Sequence, residues 1–133
     1  MSASAAPGPQ LPPPGGCRAR EILEIVADKW SLYVVAALGN GPHRFNELKR
    51  GIDGISQRML TVTLRGLERD GILTRTVRDV MPPHVSYELT PMGTTLVAAT
   101  TPLIEWSTRN LAAIDVARLE YDARAARREA SRQ

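Results

Sequence analysis

A single cysteine, Cys17, excludes an intrachain disulfide framework. Histidines number only two, His43 and His84, and with one thiol they do not supply the clustered His, Cys and carboxylate ligands of a metal site. No metal and no cofactor is expected. There is no Ser-His-Asp order with nucleophile-elbow glycine spacing and no Gly-rich phosphate loop, so the chain does not read as an enzyme. Six aromatic residues in 133 leave no visible platform for stacking RNA bases. No apolar run approaches the roughly 18 residues that span a bilayer, so no membrane partner is expected. The N-terminal stretch lacks a basic n-region and an apolar h-region and does not read as a secretory signal. One thiol without a disulfide framework suits a reducing cytoplasm.

What is present is an ordinary globular composition, 43% hydrophobic and 23% charged, with a formal net charge of +3. The charge is uneven. From His43 to Arg78 there are eight Lys/Arg against four acids, a local excess larger than that of the whole chain, which is compatible with a polyanionic partner. Residues 1–16 are mostly Pro, Gly, Ser and Ala, with one Leu besides Met1 and Gln10. They bury too little apolar surface to offset their ordering entropy and read as a flexible tail. Residues 17–113 read as one folded domain and 114–133 as a charged, helical C-terminal tail, with pairs such as Glu120–Arg124 at i,i+4.

Within the domain, Ile22, Leu23, Ile25 and Val26 suggest a short first helix. Trp30, Val34, Ala37 and Leu38 share one face of a second, which Gly39-Asn40-Gly41-Pro42 stops. A third helix is expected over Arg44–Arg50, with Phe45 and Leu48 inward. Ser56 is a good N-cap for a fourth, Ile55 and Leu60 stand at hydrophobic-staple spacing, and Asp70-Gly71 ends it. The period then changes from 3.6 to 2. Leu73–Arg78 and Val85–Leu89 alternate around a Pro-containing turn, a two-stranded β-hairpin. Thr90-Pro91 starts a last helix, in which Pro102 is expected to cause a kink or break. Helices three and four, joined by a short Gly-containing turn, form a helix-turn-helix. A hairpin directly after makes it winged. The expected class is mainly α (α+β), with flanking dimerisation helices.

At 100° per residue, Met59, Leu60, Thr63, Leu64 and Leu67 form the core face of the fourth helix. Arg58, Thr61, Val62, Arg65 and Arg69 form the opposite face, with Gln57 at its margin and Ser56 at the N-terminus. Arg can donate two hydrogen bonds to guanine, Gln can pair with adenine, and Thr offers a hydroxyl and a methyl group. Any solvated helix also has a polar outer face. Here that face carries three Arg and no acid at its centre, follows a helix-turn, and precedes a hairpin bearing Arg75, Arg78 and His84. Together these favour double-stranded DNA, without excluding a winged helix used for protein contacts. Arg44 opens the third helix and is counted with the DNA-backbone cations. Lys49 and Arg50 end that helix, where they serve phosphate contact or complement the helix dipole equally well.

These segments resemble the HxlR-type, MarR-like family of winged helix-turn-helix regulators. The resemblance is carried by Asp28-Lys29-Trp30, Gly41–Leu48, Gly54–Thr61, Leu64–Gly71, Pro82–Thr90, Gly93 and Trp106. It implies a homodimer in which first and last helices pack together, a recognition helix at Ser56–Asp70, a wing at about Arg78–His84, and an inverted-repeat operator. This chain departs from the family in having Ala27-Asp28 for a common Gly-Gly, Arg18 for a common Pro after the cysteine, and Pro102 followed by a long tail. For the dimer, Ile22, Ile25, Leu103 and Trp106 are candidate seam residues, although some must serve the core. In several family members a cysteine near the first helix senses oxidants or electrophiles, and Cys17, 13 residues before Trp30, stands in a matching place. A helix N-terminus beside Arg18 and Arg20 suits a reactive thiol, and Glu21 opposes them. Cys17 is therefore a candidate redox sensor or an inert thiol, in which case a small-molecule effector remains open.

Overall fold

The computed structural model describes residues 16–132, and the expected tail lies, apart from Gly16, outside the described residues. The order is α1 (Cys17–Val26), α2 (Lys29–Leu38), β1 (His43–Arg44), α3 (Phe45–Gly51), α4 (Gln57–Arg69), β2 (Leu73–Arg78), β3 (His84–Leu89) and α5 (Pro91–Ser131). Mainly helical and carrying one small antiparallel sheet, the chain is a winged helix.

Local chemistry sets the boundaries. The Asp28 carboxylate accepts from the Trp30 and Ser31 amides at 3.1 and 3.4 Å and starts α2. Ser31, Val34, Val35 and Leu38 are then buried at i, i+3, i+4 and i+7. The Glu47 carboxylate accepts from the Arg44 amide at 2.9 Å and fixes the entry into α3. Ser56 Oγ accepts from the Met59 amide at 3.1 Å, as its N-cap position requires, and Ile55 and Leu60 on either side are both buried. At the far end of α4 the Gly71 amide donates to the Glu68 carbonyl and the Ile72 amide to the Leu67 carbonyl. This is a Schellman cap, and it requires the positive φ of 75° that Gly71 adopts. Its apolar partners, Leu67 and Ile72, both enter the core.

Thr90 ties the last helix to this corner. Its hydroxyl accepts from the Gly93 amide at 3.0 Å and donates to the Gly71 carbonyl at 2.6 Å. A side chain at position 93 would run into the Ile72 carbonyl, so glycine is required there by close approach. The core lies between α2, α3, α4 and one face of the sheet: Val34, Val35, Leu38, Leu48, Ile52, Ile55, Leu60, Leu64, Leu67, Ile72, Leu73 and Tyr87.

Three expectations change. The wing is not a two-stranded hairpin alone: β1 pairs with β3, giving the order β1-β3-β2 with His43 opposite Tyr87 and Arg44 opposite Ser86. Arg44 is therefore a strand residue and N-cap, not the first residue of the third helix. Met59, assigned to the core face, is 39% exposed, because the buried stripe narrows to Leu60, Thr63, Leu64 and Leu67. Pro102 does not break α5, which runs 41 residues and passes position 114 without interruption. A proline ring removes one helical hydrogen bond, here to the Ala98 carbonyl. Both residues are exposed, so water can take that carbonyl. Among the described residues no helix is long and apolar enough to cross a membrane.

Candidate nucleic-acid interface

The buried Leu60, Thr63, Leu64 and Leu67 anchor α4 to the core and turn the opposite face outward. Gln57, Arg58, Val62, Arg65 and Arg69 are exposed on it. Thr61 is half-buried, and its hydroxyl donates to the Gln57 carbonyl at 2.9 Å. Its methyl and the two lone pairs of its oxygen are what it can offer a ligand. Ser56 is exposed but its oxygen already serves as N-cap.

The sheet divides the wing cations by face, because side chains alternate along a strand. Arg75 is opposite Tyr87 and lines a cleft with Gln57, Thr61, Arg65 and Glu68 of α4. Arg78 is opposite His84, on the other face, which also carries Arg44. There Arg44 Nη2 lies 3.1 Å from His84 Nε2. A second cleft, between α3 and the wing, is lined by Arg44, Phe45, Asn46, Glu47, Arg50, Pro83, His84 and Val85. Lys49 and Arg50 are exposed at the end of α3. Thus Gln57, Thr61, Arg65 and Arg75 border one cleft, and Arg44, Arg50 and His84 the other.

The remaining candidates lie elsewhere. Cys17 is exposed as the first residue of α1. Ile22, Leu103 and Trp106 are each about half exposed, at 53%, 51% and 51%, and Ile25 is half-buried. Beyond them Leu111, Val116, Leu119 and Tyr121 are also exposed, an apolar extension of α5 that weak amphipathicity had hidden. Missed as well were the Arg44–His84 contact, 40 residues apart in sequence, and the exposed Val80 and Met81 at the hairpin tip. The adjacency of Pro82-Pro83 to these two could have signalled a projecting turn. Among the described residues no group of three or more potential metal ligands is found.

Known proteins share this arrangement. The HTH-type transcriptional regulator YtfH of Escherichia coli (strain K12) is 42% identical over 95 residues, 71% of this chain and 75% of YtfH. The solved structure of the transcriptional regulator ytfH from Salmonella typhimurium superimposes with a TM-score of 0.72 at 38% identity, covering 78% of this chain and 93% of that one. The redox regulator HypR in its oxidized form superimposes with a TM-score of 0.66 at 39% identity, covering 71% of this chain and 97% of HypR. The profile of the HxlR-like helix-turn-helix family matches residues 25–115. With its winged helix, its exposed cationic α4 and these relatives, the chain belongs to the HxlR-like family and is a DNA-binding transcription regulator of the helix-turn-helix type.

Proposed function

We propose that the chain acts as a homodimer that places two copies of α4 in successive major grooves of an inverted-repeat operator and represses transcription there. The observation that carries this reading is the outer face of α4, cationic, polar and uncovered by the chain's own body. Gln57, Arg58, Thr61 and Arg65 near its N-terminal half contact base edges, where such helices commonly read sequence. Val62 packs on a thymine methyl group, and Arg69 faces the backbone. Arg75, Arg78, His84, Arg44, Lys49 and Arg50 hold the phosphates, positioning the helix without specifying sequence.

A second copy is supported by α1, which buries no side chain, and by the uncovered Ile22, Leu103 and Trp106. Burying such residues in a two-fold interface removes apolar area from water and sets the recognition helices about 34–36 Å apart, one turn of duplex.

Cys17 is read as an oxidant-responsive switch. Support comes from its exposure at the first position of α1 and from the likeness to HypR, a redox regulator. With one thiol per chain, oxidation by diamide either links two Cys17 across the dimer or joins Cys17 to a small thiol. A gel shift with the duplex upstream of the protein's own gene tests both parts. Retarded complex with wild type, lost on adding diamide and retained in Cys17→Ser, is the expected result. A response to diamide that survives Cys17→Ser would rule out thiol sensing and favour a different effector.

A further inference from the structure

His84 sits in the central strand of the sheet with an arginine on the same face of each neighbouring strand. Arg78 of β2 is its direct cross-strand partner. Arg44 of β1 is opposite Ser86, two residues along β3 and on the same face, and a long side chain bridges that diagonal. The contact between Arg44 Nη2 and His84 Nε2 measures 3.1 Å. Guanidinium nitrogens only donate, so Nε2 accepts, and the imidazole making this bond is neutral with its proton on Nδ1.

The other charged groups around this face are Glu88 of β3, opposite Thr74 and two residues beyond Ser86, Glu47 and Arg50 of α3, which line the adjoining cleft, and Asp79, next to Arg78 in the turn. Glu47 is held to the Arg44 amide at 2.9 Å as part of the α3 cap. Protonating His84 without an anion would break its bond to Arg44 and set an imidazolium against that guanidinium, with Arg78 on the same face, a like-charge arrangement that disfavours the proton. An acceptor-only oxygen on the same face reverses the balance. Nε2–H, Arg44 and Arg78 then all donate to it, and charge-assisted bonds to phosphate are strong ones.

We propose, resting on the reading of the wing as a DNA-backbone contact, that Arg44, His84 and Arg78 form a phosphodiester site at which His84 takes up a proton as the backbone enters. The proton is bound more tightly in the complex than in the unbound protein, so affinity for duplex DNA rises as pH falls. The gain is complete below the imidazole's range in the unbound protein and is lost as pH rises through its range in the complex. Because a phosphate carries no sequence information, random duplex shares the effect.

Fluorescence anisotropy of the full chain on labelled duplex, at constant salt, measures it. Between about pH 7.5 and about pH 6.0 the wild-type Kd should fall roughly two- to fourfold, the part of a shift of half a unit to one unit that this window spans. The chain has only two histidines, so the source can be isolated. His84→Gln, which can still accept from Arg44 but cannot titrate, should flatten the profile. His43→Gln should retain it, since His43 lies on the opposite face of the sheet and pairs through Nδ1 with the Gly41 carbonyl at 2.7 Å. Titration calorimetry of the wild-type chain in two buffers of different ionisation enthalpy should show net proton uptake near pH 6.5, without relying on any variant. A flat wild-type profile, a profile that survives His84→Gln, or no proton uptake overturns the proposal and leaves the DNA-binding reading standing. Absence of duplex binding at every pH overturns both.

Discussion

The α4 helix and α5 treat their apolar residues in opposite ways. In 13 residues α4 buries four side chains, and Leu60 and Leu67 are 0% exposed. In 41 residues α5 buries only Gly93 and Thr100. Leu103 and Trp106 remain half exposed, and Leu119 is 71% exposed. One helix is held by the chain's own core, which frees its polar face for a ligand. The other begins at that core, through Thr90 and Gly93, and then leaves it with apolar side chains in water. Chains rarely leave contiguous apolar surface uncovered unless something binds there. The difference separates what stabilises the single chain from what that chain leaves uncovered, and α1, with no buried residue, falls on the same side as the later turns of α5.

Substitutions can break or sharpen this contrast. The largest effect belongs to the core side. Leu64→Ala should lower unfolding stability by about 2–5 kcal/mol, as cavities at fully buried leucines do, whereas Leu119→Ala should leave the unfolding of the monomer unchanged. Denaturant melts at low protein concentration measure both. Next is the uncovered side. Trp106→Ala should weaken self-association by about 2 kcal/mol, the scale of an aromatic hot spot, with secondary structure intact. Light scattering across a dilution series would read it, and an unaltered mass would place Trp106 outside the seam.

A third effect tests the ligand face of α4. Arg65→Ala, and more so Arg58→Ala, should cost about 1–3 kcal/mol of binding to operator and relax the preference over random duplex. Arg78→Ala should instead weaken both duplexes alike and reduce the salt slope by about 1. Equal losses on both duplexes for all three variants would remove the base-reading role. The smallest expected change is at the helix start. Ser56→Ala deletes the acceptor of the Met59 amide and should cost about 1 kcal/mol of stability, seen as a lower melting temperature.

Local chemistry made most of α4 legible from sequence. Ser56, the Ile55–Leu60 spacing and Gly71 each carry a signal within a few residues, and in the fold Ser56 caps the helix, Ile55 and Leu60 are both buried, and Gly71 takes a positive φ. The hairpin register follows from alternation, with Leu73 opposite Leu89 and Val77 opposite Val85. The strand β1 could not be read in this way, since two residues contain no period. Met59 was misplaced because an ideal wheel cannot tell how wide a stripe the neighbours will cover. Pro102 leaves α5 unbroken, because its cost depends on whether water reaches Ala98, a property of the folded surface. The Arg44–His84 contact depends on the register of β1 against β3, which no local pattern encodes. The cations of the candidate interface were legible as a set, and alternation already set Arg75 apart from Arg78, but the place of Arg44 on the Arg78 face was not legible.

The central claim is that two exposed α4 helices, one from each subunit, enter the same face of a duplex. Hydroxyl-radical footprinting on the DNA upstream of the gene addresses it most directly. The account predicts two protected patches centred about ten base pairs apart, one helical turn, both lost in the Arg58→Ala, Arg65→Ala double variant. A single patch, or protection unchanged by that double variant, would contradict it.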